Sequence, residues 1–103
     1  MSIKAKARMT SNNNVQVKML IKHPMETGQR KDSKTGELIP AHFVDVVTCQ
    51  WQGKEMLRAH WGPAISKNPY LSFSISGPQA GDTLLLSWHD NTGKSGEKEY
   101  TIG

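Results

Sequence analysis

Apolar and polar residues alternate with a period of two along most of this chain. Residues 3–9 place apolar side chains at odd positions and basic ones at even positions, and residues 15–22 repeat the alternation. Residues 43–51 are rich in β-branched and aromatic side chains, which favour strands. Because this period is typical of a half-buried strand and not of a helix, the pattern predicts β-structure.

Further predicted strands are separated by turn signals at short intervals. They cover residues 54–61, 71–76, 83–88 and 98–102, with turns at residues 12–14, 52–53 and 90–96. Pro63 and Pro69 bracket a short irregular segment. About seven short strands with such spacing predict an all-β, immunoglobulin-like β-sandwich. With 103 residues, the whole chain (residues 1–103) is predicted to be a single domain.

Residues 23–41 interrupt the alternation. Turn and breaker signals occur at residues 23–24, 27–28 and 35–36 and at Pro40. A loop of this length is uncommon in a compact domain and, when ordered, is often functional. We expect a turn around residues 32–36 that carries the charge of the loop.

The composition narrows the class of protein. Hydrophobic residues make up 36% of the chain, and no apolar run approaches the length of a membrane span. The first residues lack the apolar stretch of a secretory signal. Taken alone, this predicts a cytoplasmic protein, or one that is exported with a partner.

The basic residues do not point to nucleic acid. Net charge is +4, with Lys4, Lys6 and Arg8 on the first predicted strand and a second basic group between residues 30 and 34. Binding of single-stranded nucleic acid requires aromatic side chains interleaved with the charges, and the sequence does not have them there. A mildly basic soluble surface is the simpler interpretation.

No metal or cofactor site is predicted. The four histidines, His23, His42, His60 and His89, lie far apart without metal-ligand spacing, so we expect surface or strand-end positions. A blue-copper site combines a thiolate with two imidazoles, usually with a methionine. Cys49 lies in the middle of a predicted strand with no His or Met close behind it, which argues against copper.

Cys49 and the tryptophans allow two interpretations each. Cys49 alternates with largely apolar neighbours, which predicts a buried, inert thiol, although a contact with a partner chain stays open. Trp51, Trp61 and Trp88 are expected in the core. The alternative is a stripe that binds sugars, which would make the chain a small-ligand or carbohydrate-binding β-sandwich module. No spacing nominates a catalytic residue.

Three segments carry a resemblance to a known family. They are HPMETGQRKD at residues 23–32, CQWQGKE at 49–55 and AISKNPYLSF at 64–73. In this order and spacing the chain resembles the SoxZ family of thiosulfate-oxidation proteins, over residues from about 15 to 102. It departs from the family pattern at Lys67, Trp51 and Trp61.

The resemblance implies a fold, a partner and a location. SoxZ proteins are immunoglobulin-like sandwiches that form a heterodimer with SoxY, and SoxY carries sulfur intermediates on a cysteine in a flexible C-terminal arm. The Z subunit is not an enzyme, makes transient contacts with other Sox enzymes, and is exported to the periplasm with SoxY. The last residues here, 100–103, lack a Gly-Gly-Cys arm, so this chain is not expected to be the carrier subunit.

The family motifs also supply a predicted partner-binding set. Exposed loops on a rigid sandwich are common recognition sites, and a flexible Met beside charges suits a contact surface. An orphaned heterodimer surface would leave an apolar patch through which the isolated chain can self-associate. The predicted set comprises His23, Pro24, Met25, Glu26, Thr27, Gly28, Arg30, Asn68, Pro69 and Tyr70. The alternative is that Pro24, Thr27 and Gly28 only shape the loop, and that residues 68–70 only fix the entry to the next strand.

Overall fold

The computed structural model describes residues 2–11, 13–62 and 64–103 of the chain. Within these ranges the protein has seven strands and no helix, which confirms the all-β prediction. The strands are β1 (Ile3–Ser11), β2 (Asn14–Ile21), β3 (Val44–Trp51), β4 (Lys54–His60), β5 (Tyr70–Ser76), β6 (Thr83–Asp90) and β7 (Ser95–Thr101).

The strands form two antiparallel sheets that pack as a sandwich. One sheet has the order β1-β2-β5 and the other the order β4-β3-β6-β7. The alternating apolar residues of the central strands point between the sheets, where Val17, Met19, Val47 and Leu86 are fully or almost fully buried. The period-two pattern therefore predicted the inner face correctly.

The two long edges of the sandwich differ. At one edge β1 and β7 lie in contact, and Tyr100 Oη donates a hydrogen bond of 2.7 Å to the Ile3 carbonyl. The backbone N–H of Met9 bonds the Gly103 carbonyl along the same edge. Among the described residues, β4 and β5 at the opposite edge make no comparable contact. The sandwich is thus closed on one side and open on the other.

The turn between β6 and β7 is shorter than the predicted residues 90–96. Asp90 ends β6 and its Oδ1 accepts the backbone N–H groups of Thr92 and Lys94, while Gly93 has a φ of 88°. Gly96 lies inside β7, opposite Trp88, and was wrongly assigned to the turn. Because residues 95–96 were assigned to the turn, the predicted start of the last strand, at Lys98, was three residues later than the observed start at Ser95. Of the other predicted breaks, Asn12 and Pro63 lie outside the described residues.

The long predicted loop folds back on itself like a hairpin, although it contains isolated bridges and not strands. Residues 26–42 of this segment are called the arm here. Isolated bridges pair Glu26 with His42 and Lys31 with Leu38. The expected charged turn is confirmed, since Asp32 Oδ1 accepts the Lys34 N–H at 2.7 Å. The arm therefore has a defined tip and a defined base.

Candidate partner-binding site

The base of the arm is held by a buried cluster of His23, His42 and Asp90, called the Asp90 cluster. Oδ2 of Asp90 lies 3.1 Å from His23 Nε2 and 2.7 Å from His42 Nε2. The two rings meet edge-on with centroids 4.5 Å apart. His23 lies two residues after the end of β2, as the predicted strand-end position requires, but it is only 1% exposed, so a surface position is wrong for this residue. The sandwich brings together histidines that are distant in sequence.

The hydrogen bonds of His23 define its protonation. The backbone N–H of Met25 donates to Nδ1 at 3.1 Å, so the ring proton is on Nε2 and is donated to Asp90. Burial lowers the pKa of His23, and the favourable contact with Asp90 opposes this only in part. His23 is therefore a neutral imidazole with both nitrogens occupied.

This arrangement bears on metal binding, because three potential ligand groups are close together. A metal bound at Nε2 of His23 would need the lone pair of that nitrogen, which forces the proton onto Nδ1. That proton would then face the N–H of Met25. The donor set fits a hydrogen-bonded structural cluster better than a metal centre.

Asp90 is the acceptor for the whole cluster. It accepts five hydrogen bonds, two at Oδ2 from the histidines and three at Oδ1 from Thr92 and Lys94. Burial by itself would raise the pKa of Asp90, but the hydrogen bonds outweigh it and hold the pKa well below its ordinary value. Asp90 therefore stays ionised and joins the arm to the β6–β7 turn.

The two segments that supplied the predicted site meet at this base. The His23 N–H donates to Asn68 Oδ1 at 3.0 Å, and the Asn68 N–H donates to the His23 carbonyl at 2.9 Å. Asn68 adopts a φ of 51°, which Asn tolerates better than most residues. The pair is a reciprocal clamp between the segment that precedes the arm and the entry to β5.

The predicted partner-binding residues divide by exposure. His23, Met25 and Pro69 are buried within the chain. Met25 is 5% exposed and packs in the core with Sδ 3.3 Å from the backbone nitrogen of Val44, so its side chain does not lie on the surface of the free chain. Pro24, Glu26 and Gly28 are partly buried, and the exposed members are Thr27, Arg30, Asn68 and Tyr70.

Cys49 and the tryptophans belong to the core. Cys49 is fully buried, which confirms the predicted core position, and burial raises its pKa to about 11. Trp88 is 2% exposed, and Trp51 and Trp61 pack against the core without forming an exposed stripe. The predicted core position is thus confirmed for Trp88, which removes this residue from the alternative sugar-binding stripe, whereas Trp51 and Trp61 lie partly buried at the margin of the core.

The open edge is an exposed apolar surface of the kind that the sequence analysis expected, but sequence reasoning did not locate it. Several inner-face apolar side chains of β4, β5 and the residue after β4 remain partly exposed there: Leu57, Ala59, Trp61, Leu71 and Phe73. Their alternation marks them as inner-face residues. No signal in the alternation shows which strands lie at an edge.

Comparison with known proteins agrees with the motifs. The family model for sulphur oxidation protein SoxZ matches residues 3–101 of the chain. The chain belongs to the SoxZ family. This membership confirms the resemblance carried by residues 23–32, 49–55 and 64–73, and it implies a role in sulfur oxidation. No curated protein matches the chain.

The two segments joined by the clamp both carry SoxZ family motifs. The HPMETG segment of this SoxZ chain leads into the arm and forms its first residues, and its NPY segment forms the entry to edge strand β5. Both therefore border the open edge and the arm base.

Among the described residues, no helix is long and apolar enough to cross a membrane.

Proposed function

We propose that this chain is the non-catalytic Z subunit of a SoxYZ-type sulfur carrier. It binds SoxY, whose C-terminal cysteine carries the sulfur intermediates, and helps to present that cysteine to Sox enzymes. In this proposal the chain works in the periplasm, where it arrives bound to SoxY. Family membership supports the role in sulfur oxidation, and the open edge is the structural observation that carries the SoxY contact.

The open edge has the properties of a protein-docking surface. Leu57 and Phe73 point inward from β4 and β5 but stay partly exposed, whereas inner-face residues of the central strands are buried. Edge strands also present backbone groups that another chain can pair with. A SoxY domain that docks here would complete the core and cover both strands.

The state of Cys49 supports a carrier thiol on another chain. Transfer of sulfur needs a reachable thiolate, and Cys49, the single cysteine of the chain, is buried with a pKa raised to about 11. This geometry supports a role for the chain in which the partner supplies the reactive group.

The exposed members of the predicted set provide a second contact. Tyr70, 60% exposed, starts edge strand β5 and lies next to the clamp made by Asn68. Arg30 projects from the arm, paired with Glu26 at 2.6 Å. We propose that Thr27, Arg30, Asn68 and Tyr70 contact SoxY or an incoming enzyme, while His23, Met25 and Pro69 hold the segment in shape.

Co-expression with the SoxY of the same genome tests the proposal. A tag pull-down and intact mass should give a stable one-to-one complex. A Leu57→Ala/Phe73→Ala variant should weaken it at least tenfold, about 1.4 kcal/mol or more. Met9→Ala is the matched control, because Met9 is also a partly buried inner-face residue of an edge strand, but at the closed edge.

The outcomes separate the parts of the proposal. If both chains fold and do not associate, the SoxY-binding function is wrong. If the complex forms and the open-edge variant binds as tightly as wild type, the edge is not the contact. Arg30→Ala and Tyr70→Ala then decide whether the arm base is the contact.

A further inference from the structure

The outer face of the three-stranded sheet carries only positive charge. Its charged side chains are Lys4, Lys6 and Arg8 on β1 and Lys18 on β2, all exposed, and together they are called the cationic face. No Asp or Glu occurs in β1, β2 or β5 as the structure bounds them. None of the four cations forms an ion pair among the described residues.

The strand register concentrates these charges. Lys6 lies directly opposite Lys18, and Arg8 lies opposite Gln16. A cleft of about 280 Å³ is lined by Lys6, Arg8, Gln16 and Lys18. On the next strand, Ser72 pairs with Lys18 and adds a hydroxyl on the same face. The face therefore offers a grid of hydrogen-bond donors to an anionic ligand.

The cationic face lowers the stability of the sheet. It also accounts for the net charge of the chain. Like charges directly opposite each other on antiparallel strands are destabilising. The chain has 13 Lys and Arg residues against 9 Asp and Glu residues, so beyond the cationic face the two signs balance and the +4 net charge resides here. The outer face of the other sheet carries Glu97 and Glu99 on β7 together with Arg58 on β4. That face therefore has charges of both signs, whereas the cationic face has only positive ones.

We propose that the cationic face docks a carboxylate-rich surface of a Sox enzyme that the loaded carrier visits, an inference that rests on the function proposed above. A carrier must meet its enzymes quickly and release them. Complementary charge raises the association rate more than the affinity, which suits such an exchange. Nucleic acid fits less well, because Tyr70 at the start of β5 is the one aromatic residue on this face among the described residues.

The test uses the intact complex with SoxY. A Lys6→Gln/Arg8→Gln/Lys18→Gln variant should associate with at least one Sox enzyme of the same genome about tenfold more slowly at low salt, near the lower limit for electrostatic steering. The difference should shrink in about 0.5 M NaCl, where screening is strong. The control, Lys94→Gln/Lys98→Gln, removes positive charge from exposed positions outside the cationic face, the arm and the open edge, and it should retain the wild-type rate.

A measurement of thermal stability distinguishes a loss of binding from a loss of folding. Lys18→Gln removes the opposed pair, so its midpoint of thermal unfolding should equal or exceed that of wild type while the association slows. Association at the wild-type rate with every enzyme would overturn the proposal, as would an equal slowing in the control variant. Charge-dependent binding to phosphatidylglycerol vesicles in place of any enzyme, or loss of SoxY from the variant complex, would also overturn it. Failure of wild type to bind SoxY is seen before any rate is measured, and it would refute the underlying function instead.

Discussion

His23 and His42 donate hydrogen bonds to the same oxygen of one buried carboxylate, Oδ2 of Asp90, at 3.1 and 2.7 Å. His23 precedes the arm and His42 ends it, so Asp90 fixes both ends of the arm to the sandwich. The exposed residues of the arm, including Arg30, therefore project from a rigid base. Any partner contact of the arm depends on this cluster although the cluster itself is largely buried.

Replacing Asp90 by Asn should loosen the arm and destabilise the protein. Five donors face the carboxylate, and an Asn side chain would turn an NH₂ group toward some of them. We expect a loss of about 2–4 kcal/mol in the free energy of unfolding, as for a broken buried network. Urea unfolding measures the loss, and hydrogen exchange should show faster exchange at Glu26 and His42.

Asp82→Asn is the control for this variant. Asp82 Oδ2 accepts from Trp51 Nε1 and the Gln79 N–H, and Asp82 is partly exposed. An Asn can keep its carbonyl oxygen there and turn the NH₂ group to solvent, so we expect a loss of at most about 1.5 kcal/mol. Equal losses in the two variants would mean that the Asp90 cluster has no special role.

Stability should fall as the pH falls below about 6.5, because the pKa of His23 is lower in the folded protein than its ordinary value of 6.5. In that range the unfolded chain binds a proton that folded His23 does not, so acid favours unfolding. The slope from this residue is at most about 1.4 kcal/mol per pH unit. Asp90, whose folded pKa is also lowered, adds its own loss only below its ordinary value of 3.8.

Urea unfolding between about pH 8 and pH 5 checks the His23 contribution. His23→Asn should be less stable at neutral pH and should have a flatter pH dependence than wild type. His89→Asn, at an exposed position, should keep the wild-type slope. A slope that survives in His23→Asn would assign the pH dependence to another group.

The sequence predicted what depends on local pattern. The alternation of Val15, Val17 and Met19 identified a strand and its inner face, because the period of two is a local property. The Asp90 cluster depends instead on the order β3-β6 in one sheet, which places Asp90 opposite Val44 and beside the arm. The one local signal for the Asp90 cluster was Pro24 after His23. This proline indicated an irregular segment, but it did not indicate that the His23 ring is buried.

The open edge was unpredictable for a related reason. Leu57 and Phe73 alternate as regularly as the residues of central strands, and only the sheet order shows that β4 and β5 have no neighbour on one side. Gly96 was misassigned because glycine usually marks a turn, whereas here it makes room for the Trp88 ring. Tertiary packing therefore decided each case that local pattern could not.

Cys49 should resist thiol reagents in the native protein. It is fully buried and its pKa is raised to about 11, so thiolate is scarce and access is blocked at the pH of ordinary labelling. In a labelling assay with a disulfide reagent near about pH 8, native protein should react at least about a hundredfold more slowly than protein unfolded in guanidinium. Cys49→Ala should bind SoxY like wild type. Rapid native labelling would contradict the buried position.

Gly96→Ala should destabilise the protein because the new methyl group would have no space. A Cβ at this position would lie 2.7 Å from Trp88 Nε1 and 3.0 Å from Cε2. The Trp88 ring is 2% exposed and packs edge-on against His23 with centroids 5.5 Å apart, so it cannot easily move away. We expect a loss of about 1–3 kcal/mol, as for overpacked cores.

Gly62→Ala is the matched substitution for this prediction. Gly62 has open space around the corresponding Cβ position and no positive φ, so its stability should change by no more than about 0.5 kcal/mol. Urea unfolding followed by tryptophan fluorescence measures both variants, and the emission of folded Gly96→Ala should shift because Trp88 is displaced. If Gly96→Ala is as stable as Gly62→Ala, the Trp88 ring is free to shift, and the packing of Trp88 against His23 does not hold the arm base in place.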